Sequence, residues 1–149
     1  MPAKDIFHDN VKNALIKDGW NITNDPLKLQ WGNKDLYVDL GAEKLIAAEK
    51  ENHKIAVEIK SFVGNSQVAD LQQALGQYTL YLDIIEETEP ERILYLAIRE
   101  TTYEDIFIEP IGQILLNKKR LKLIVFDADR EEIIQWIPEK NIEKKSKVF

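Results

Sequence analysis

Glu58 and Lys60 stand two residues apart in the stretch Ile55-Ala56-Val57-Glu58-Ile59-Lys60-Ser61-Phe62, and Asp39 lies upstream of them. Alternate residues of a β-strand share a face, with a rise of about 3.3 Å per residue. In a strand, Ile55, Val57 and Ile59 share one side; Ala56, Glu58 and Lys60 share the other, with the two charges roughly 7 Å apart. The strand otherwise reads as buried, and buried charges are costly unless they are paired or bound to a metal. Such a strand either tolerates an ion pair or builds a site. If Asp39 converges on Glu58, the two carboxylates suit a hard divalent cation such as Mg²⁺, which takes oxygen ligands and keeps waters. That ion would lower the pKa of a bound water and neutralise charge on a phosphodiester. The Lys60 ammonium would position the water or stabilise the charge that develops. The plain alternative is an ion pair between Lys60 and Glu58 or Asp39 at a sheet edge.

The flanking sequence supplies elements to position these groups. Residues 5–18 read as a helix on the spacing of Phe7, Val11, Ala14 and Leu15, with Gly19 as a natural stop. Residues 20–34 suggest a short strand, a turn at Asn24-Asp25-Pro26, and a second short strand or loop. Strand patterns cover Leu36–Leu40, Leu45–Lys50 and Ile55–Phe62, with residues 51–54 as a hairpin connector. A register that sets Lys50 opposite Ile55 puts Glu58 near Ala47 and Asp39 at the end where Lys60 sits. Glu43 is the reserve candidate acid if the register differs, and Glu49 reads as solvated.

Ser66 can cap a helix over 66–87 whose apolar stripe is Val68, Leu71, Leu75, Tyr78, Leu82 and Ile85. Residues 92–98 and 121–126 read as strands covered on both faces. Residues 103–117 read as a helix ended or restarted by Pro110, and 133–137 as an edge strand. The expectation is one domain over 1–138, with a charged tail over 139–149. Its fold class is α/β, a mixed central β-sheet flanked by helices.

Composition narrows the setting. The 149 residues include no cysteine, which removes disulfides, thiolate metal sites and a thiol nucleophile, and fits a reducing cytoplasm. There is no apolar run long enough to span a bilayer and no apolar signal core, so a cytoplasmic protein without a membrane partner is expected. A net charge of −6 argues against coating nucleic acid non-specifically. A local basic patch remains open: Lys118, Lys119, Arg120 and Lys122 could contact phosphates, or form a soluble turn. Lys144, Lys145 and Lys147 are a second basic group, read as a solvated tail. Trp20, Trp31 and Trp136 read as core or partner packing, and two isolated histidines, His8 and His53, make no zinc site.

Asp39, Glu58 and Lys60 on this helix–hairpin–helix background resemble the restriction endonuclease-like PD-(D/E)XK nuclease core. More specifically, residues 1–20 (MPAKDIFHDNVKNALIKDGW), residues 37–62 (YVDLGAEKLIAAEKENHKIAVEIKSF) and Gln73-Ala74-Leu75-Gly76-Gln77-Tyr78 resemble XisH, the cyanobacterial fdxN element excision controlling factor family. The likeness runs to about Pro138. It implies a part in DNA rearrangement in heterocyst-forming cyanobacteria, controlling excision of a DNA element by a site-specific recombinase. DNA is then an expected target, with that recombinase or an XisI-like companion factor as a partner.

The resemblance also implies Asp39 and Glu58 as metal ligands together with the carbonyl of Ile59, Lys60 as the catalytic lysine, and Mg²⁺ or Mn²⁺ as cofactor. Nucleases of this type often add a Glu from the first helix. The matching region here holds His8, Asp9 and Asn10, so His8 or Asp9 would have to substitute. Gln73 and Gln77 fall on one side of the long helix, where such nucleases often carry a site glutamine; a solvated position is the alternative for Gln77. Small nucleases of this kind commonly form homodimers. Nuclease folds are also reused without catalysis. Two functions therefore stay open: a Mg²⁺-dependent endodeoxyribonuclease, or a catalytically silent accessory protein that binds the recombinase or a companion factor.

Overall fold

The computed structural model describes residues 4–46 and 51–140. The chain begins with α1 (His8–Lys17), β1 (Asn21–Asn24), β2 (Leu27–Trp31), β3 (Lys34–Val38), β4 (Leu40–Ile46) and β5 (Glu51–Ile59). Then come α2 (Gln67–Thr88), β6 (Ile93–Arg99) and a short α3 (Glu100–Thr102) that runs on as a π-helix (Tyr103–Phe107). The described chain closes with α4 (Pro110–Asn117), β7 (Leu123–Asp127) and β8 (Glu132–Ile137). Six strands form one sheet in the order β1-β4-β5-β6-β7-β8, and β2 and β3 make a separate hairpin. The centre, β5-β6-β7, is parallel, and the outer pairs are antiparallel. This is a mixed α/β fold whose sheet is flanked by helices, compatible with a nuclease-like arrangement.

The period of β5 sorts its residues onto two cores. Ile55, Val57 and Ile59 pack with Val11 and Leu15 of α1, whereas Ala56 joins Leu71, Ala74 and Tyr78 of α2. Glu58 and Lys60 share the side of Ala56, so they project toward α2.

The register of the β4–β5 hairpin differs from the expected one. β4 runs unbroken from Leu40, and its pairing extends from Leu40 opposite Val57 to Ile46 opposite Glu51. Ala42, not Lys50, opposes Ile55, and residues 51–54 are strand rather than connector. Residues 47–50, part of the expected strand, lie outside the described residues, as does Glu49. Gly41, in the gap between the expected strands Leu36–Leu40 and Leu45–Lys50, is a ladder residue opposite Ala56 that needs its small size. A Cβ there would come 3.0 Å from Asn24 Oδ1 and 3.3 Å from Arg92 Nη1. That space lets Arg92, held by Glu89, donate to the Ile55 carbonyl at 2.9 Å.

α2 starts where expected. The Ser66 hydroxyl accepts from the Ala69 N–H at 3.1 Å, satisfying one of the free donors of the first turn. Ser66→Ala is expected to cost about 1 kcal/mol, read from urea unfolding. The buried arc is Leu71, Ala74, Tyr78, Tyr81, Ile84 and Ile85, while Val68 is exposed and Leu75 and Leu82 are half-buried. Leu71, Tyr78 and Ile85 of the expected stripe are buried, and Ala74, Tyr81 and Ile84 complete the arc in place of Val68, Leu75 and Leu82. Tyr78 donates to the Leu94 carbonyl at 2.8 Å and accepts from the Lys122 N–H at 3.1 Å, a polar bridge inside the core.

The expected helix over 103–117 is broken in two, with Pro110 at the first turn of α4. Gly112 packs against the preceding π turn so closely that a Cβ would lie 2.3 Å from Phe107 Cα and 2.4 Å from the Ile106 carbonyl oxygen. Gly112→Ala should therefore destabilise the fold by about 1–3 kcal/mol or more through overpacking, visible as a lowered Tm. β8 lies at the sheet edge, and residues 141–149 of the charged tail lie outside the described residues. Among the described residues no helix is long and apolar enough to cross a membrane.

Candidate functional site

Asp39 occupies the bend between β3 and β4, where the chain leaves the small hairpin and enters the main sheet. One step beyond the Leu40–Val57 pair, it meets Glu58. The two acids are tied crosswise through the backbone. Asp39 Oδ2 accepts from the Ile59 N–H at 2.8 Å, and the Asp39 N–H donates to Glu58 Oε1 at 3.3 Å. Lys60 follows at the end of β5. Its N–H donates to the Ala97 carbonyl at 3.1 Å, and its Nζ donates to Gln73 Oε1 at 2.7 Å. Asp39, Glu58, Ile59 and Lys60 open onto a cleft of about 400 Å³, walled in part by Gln77 and Tyr81 of α2 and by Asp5.

Electrostatics mark the pair as short of positive charge. Burial pushes the Glu58 carboxyl up to about 9, and the neighbouring Asp39 charge adds to the effect. Asp39 is raised as well, again by burial, with the Ile59 N–H opposing the rise. Two desolvated acids in hydrogen-bond contact share a proton when nothing else neutralises them. A divalent cation would take that proton's place. Each carboxylate gives one oxygen to a peptide N–H and keeps the other, a donor set that fits a hard cation retaining several waters. Among the described residues no cluster of three or more His, Cys, Asp or Glu side chains is placed to hold a metal. Beyond the two carboxylates, the Ile59 carbonyl and water would have to complete a coordination shell.

The remaining candidates divide clearly. Gln73 is exposed on α2 and bonds Lys60, and Gln77, one turn on, is half-buried in the cleft wall. His8 is buried on α1 with Nε2 2.7 Å from Asp25 Oδ1, and it does not line the cleft. Asp9 is exposed and does not line it either. The acid that the N-terminal region does contribute is Asp5. It accepts from the Phe7 N–H at 2.9 Å and the Ser61 N–H at 3.1 Å, and its charge helps to raise both Asp39 and Glu58. Sequence reasoning missed Asp5 because it started the helix there. The helix begins at His8, and Asp5 is the acid that ties its approach to the end of β5. Asp5→Ala leaves two peptide donors without their acceptor and should cost about 1–3 kcal/mol, measured by thermal unfolding.

Lys118, Lys119, Arg120 and Lys122 are exposed between α4 and the core of β7, and none lines the cleft. Glu43 accepts from Asn52 at 2.8 Å, lies 3.8 Å from Lys54, and is likewise absent from the cleft wall. His53 is a strand residue of β5 rather than a turn residue. Trp20 and Trp136 pack in the α1-side core, their rings 5.8 Å apart, while Trp31 is exposed.

Comparison with known proteins gives a family profile, XisH protein, that matches residues 1–134. The structure of an XisH family protein from Nostoc punctiforme PCC 73102 is 40% identical to this chain. It superposes with a TM-score of 0.80, covering 89% of this chain and 98% of the other. The structure of an fdxN element excision controlling factor protein from Anabaena variabilis is 39% identical, with a TM-score of 0.80 and coverage of 90% and 99%. No curated protein matches the chain.

Proposed function

This chain belongs to the XisH family, and from that premise we propose that it serves in control of DNA-element excision as a cation-dependent domain that cleaves phosphodiester bonds. One observation carries the reading: two desolvated carboxylates, Asp39 and Glu58, tied to each other across the β4–β5 pairing and opening onto a cleft beside Lys60.

In this reading Asp39, Glu58 and the Ile59 carbonyl hold Mg²⁺ or Mn²⁺. The bound cation supplies Lewis acidity and neutralises charge on a phosphodiester. Binding there would release the proton held between Glu58 and Asp39 to solvent, leaving both as carboxylate ligands. Lys60, steadied by Gln73, orients the attacking water or donates to a phosphoryl oxygen as negative charge grows there. Gln77 borders the space in which the substrate backbone would lie. Asp5 fixes the Ser61 peptide and with it the path of the chain just after Lys60. DNA is the substrate, the setting is cytoplasmic, and exposed Arg120 and Lys122 could touch phosphates outside the cleft.

A second reading, a catalytically silent adaptor for the site-specific recombinase or an XisI-like companion factor, draws on the net charge of −6 and on a basic cluster set away from the cleft. Incubation of supercoiled plasmid and short duplexes with Mg²⁺ or Mn²⁺ separates the two. Divalent-dependent nicking by the wild-type chain that is lost in Glu58→Gln supports the nuclease. Absence of nicking, with the wild type retained by immobilised recombinase or companion factor, supports the adaptor.

A further inference from the structure

Among the described residues α4 is the helix without a single charged side chain: Pro110-Ile111-Gly112-Gln113-Ile114-Leu115-Leu116-Asn117. Its inner side is fixed by buried Gly112, while Leu115 and Leu116 pack against the α2-side core. Its outer side carries Ile111 and Ile114, which are 42% and 52% exposed, and Ile108, just ahead of it, is 54% exposed. One exposed isoleucine is ordinary. Ile111 and Ile114, three residues apart on a helix with no charge to solvate it, form an apolar patch, and exposed Ile108 lies just ahead of the extended Glu109 that opens the helix. Charge brackets that patch with opposite signs. Exposed Glu104, Asp105 and Glu109 precede it, and exposed Lys118, Lys119 and Arg120 follow it.

We propose that α4 is the seam of a homodimer, packed antiparallel against α4 of a second copy about a twofold axis. A twofold interface uses the same patch on both partners, so the patch has to be complementary to itself. Antiparallel packing meets that condition. It lays one isoleucine patch on the other and sets the acidic end of each helix, at Glu109, against Lys118 and Lys119 of the second copy. A parallel arrangement would instead oppose acid to acid and base to base, and like charges across an interface select against a wrong partner. The seam also removes from water an apolar patch that the fold of one copy leaves uncovered.

Analytical ultracentrifugation of the full chain over a concentration series tests the proposal. The wild type should sediment as a dimer, and Ile114→Glu or Ile111→Glu should raise the dimer Kd by roughly ten- to a hundredfold. Both positions are solvent-facing, so far-UV circular dichroism and the melting curve should show the fold intact. Glu109→Lys should weaken the dimer, and adding Lys118→Glu with Lys119→Glu should restore it. A wild type that is monomeric throughout overturns the proposal, as does a dimer unmoved by Ile114→Glu. Neither result depends on cation binding at Asp39 and Glu58, so the seam and the site stand or fall separately.

Discussion

Replacing Glu58 with glutamine should make the cation-free protein more stable above about pH 5 and flatten its stability profile toward alkaline pH. In the unfolded chain the Glu58 carboxyl titrates at its ordinary 4.5, and in the fold it titrates at about 9. The folded state therefore holds a proton that the unfolded state has released, and stability falls as pH rises between those two values. The stability tied to this proton is fully present below 4.5 and lost by the time pH passes the folded pKa. Asp39, raised by burial too, adds to the same trend.

Glutamine keeps an acceptor for the Asp39 N–H and replaces a like charge with a donor facing the Asp39 carboxylate, so the penalty disappears. The gain should be on the order of a few kcal/mol near pH 8, moderated because the pair opens onto a cleft at the surface. Melting curves in chelator from pH 5 to 9 provide the measurement. The wild type should lose Tm steadily and the variant hold nearly level. Added Mn²⁺ should rescue the wild type alone, since a ligand that binds only the folded state raises its apparent stability.

Lys60→Ala should have the largest effect on chemistry while leaving cation binding intact. The ammonium is outside the proposed ligand set, yet Gln73 holds it at 2.7 Å beside the cleft that Asp39 and Glu58 share. Removing one preorganised donor to developing charge typically costs about 10²–10³-fold in rate. Phosphodiester cleavage should fall by that amount, with Mn²⁺ affinity little changed. Gln73→Ala should show a smaller loss of the same kind, because it frees the lysine without deleting it. Loss of fold in Lys60→Ala would mark the residue as a structural ion-pair partner instead. Among the described residues the ammonium bonds exposed Gln73 and no carboxylate, which makes that outcome unexpected.

What the sequence discloses and what it withholds follow from the range of the interactions. The side shared by Glu58 and Lys60 is legible because a strand's period of two is local. Gln73 and Gln77 are legible together because four residues make one helical turn. The β4–β5 register is not legible. Polar Glu51, Asn52, His53 and Lys54 look like a turn, but they are the far end of a long hairpin, paired with Lys44, Leu45 and their neighbours. Residues 41–44 fall between two expected strands, yet Gly41 is the thin place in one continuous strand through which Arg92 reaches Ile55. Asp5 is hidden for a further reason. Its decisive bond goes to Ser61, 56 residues away, and no local pattern encodes such a contact. The arc of α2 is legible in half: Leu71, Tyr78 and Ile85 belong to the expected stripe, whereas Ala74, Tyr81 and Ile84 are buried beside them by packing against the sheet.

The central claim is that Asp39 and Glu58 form a cation site. Isothermal calorimetry with Mn²⁺ near pH 7, run in two buffers of different ionisation enthalpy, tests it most directly. The wild type should bind one ion per chain and release protons as it does so, giving a buffer-dependent heat. The Asp39→Asn/Glu58→Gln double variant, equally folded, should give none. A folded wild type that takes up no Mn²⁺, or a double variant that binds as well as the wild type, would contradict it.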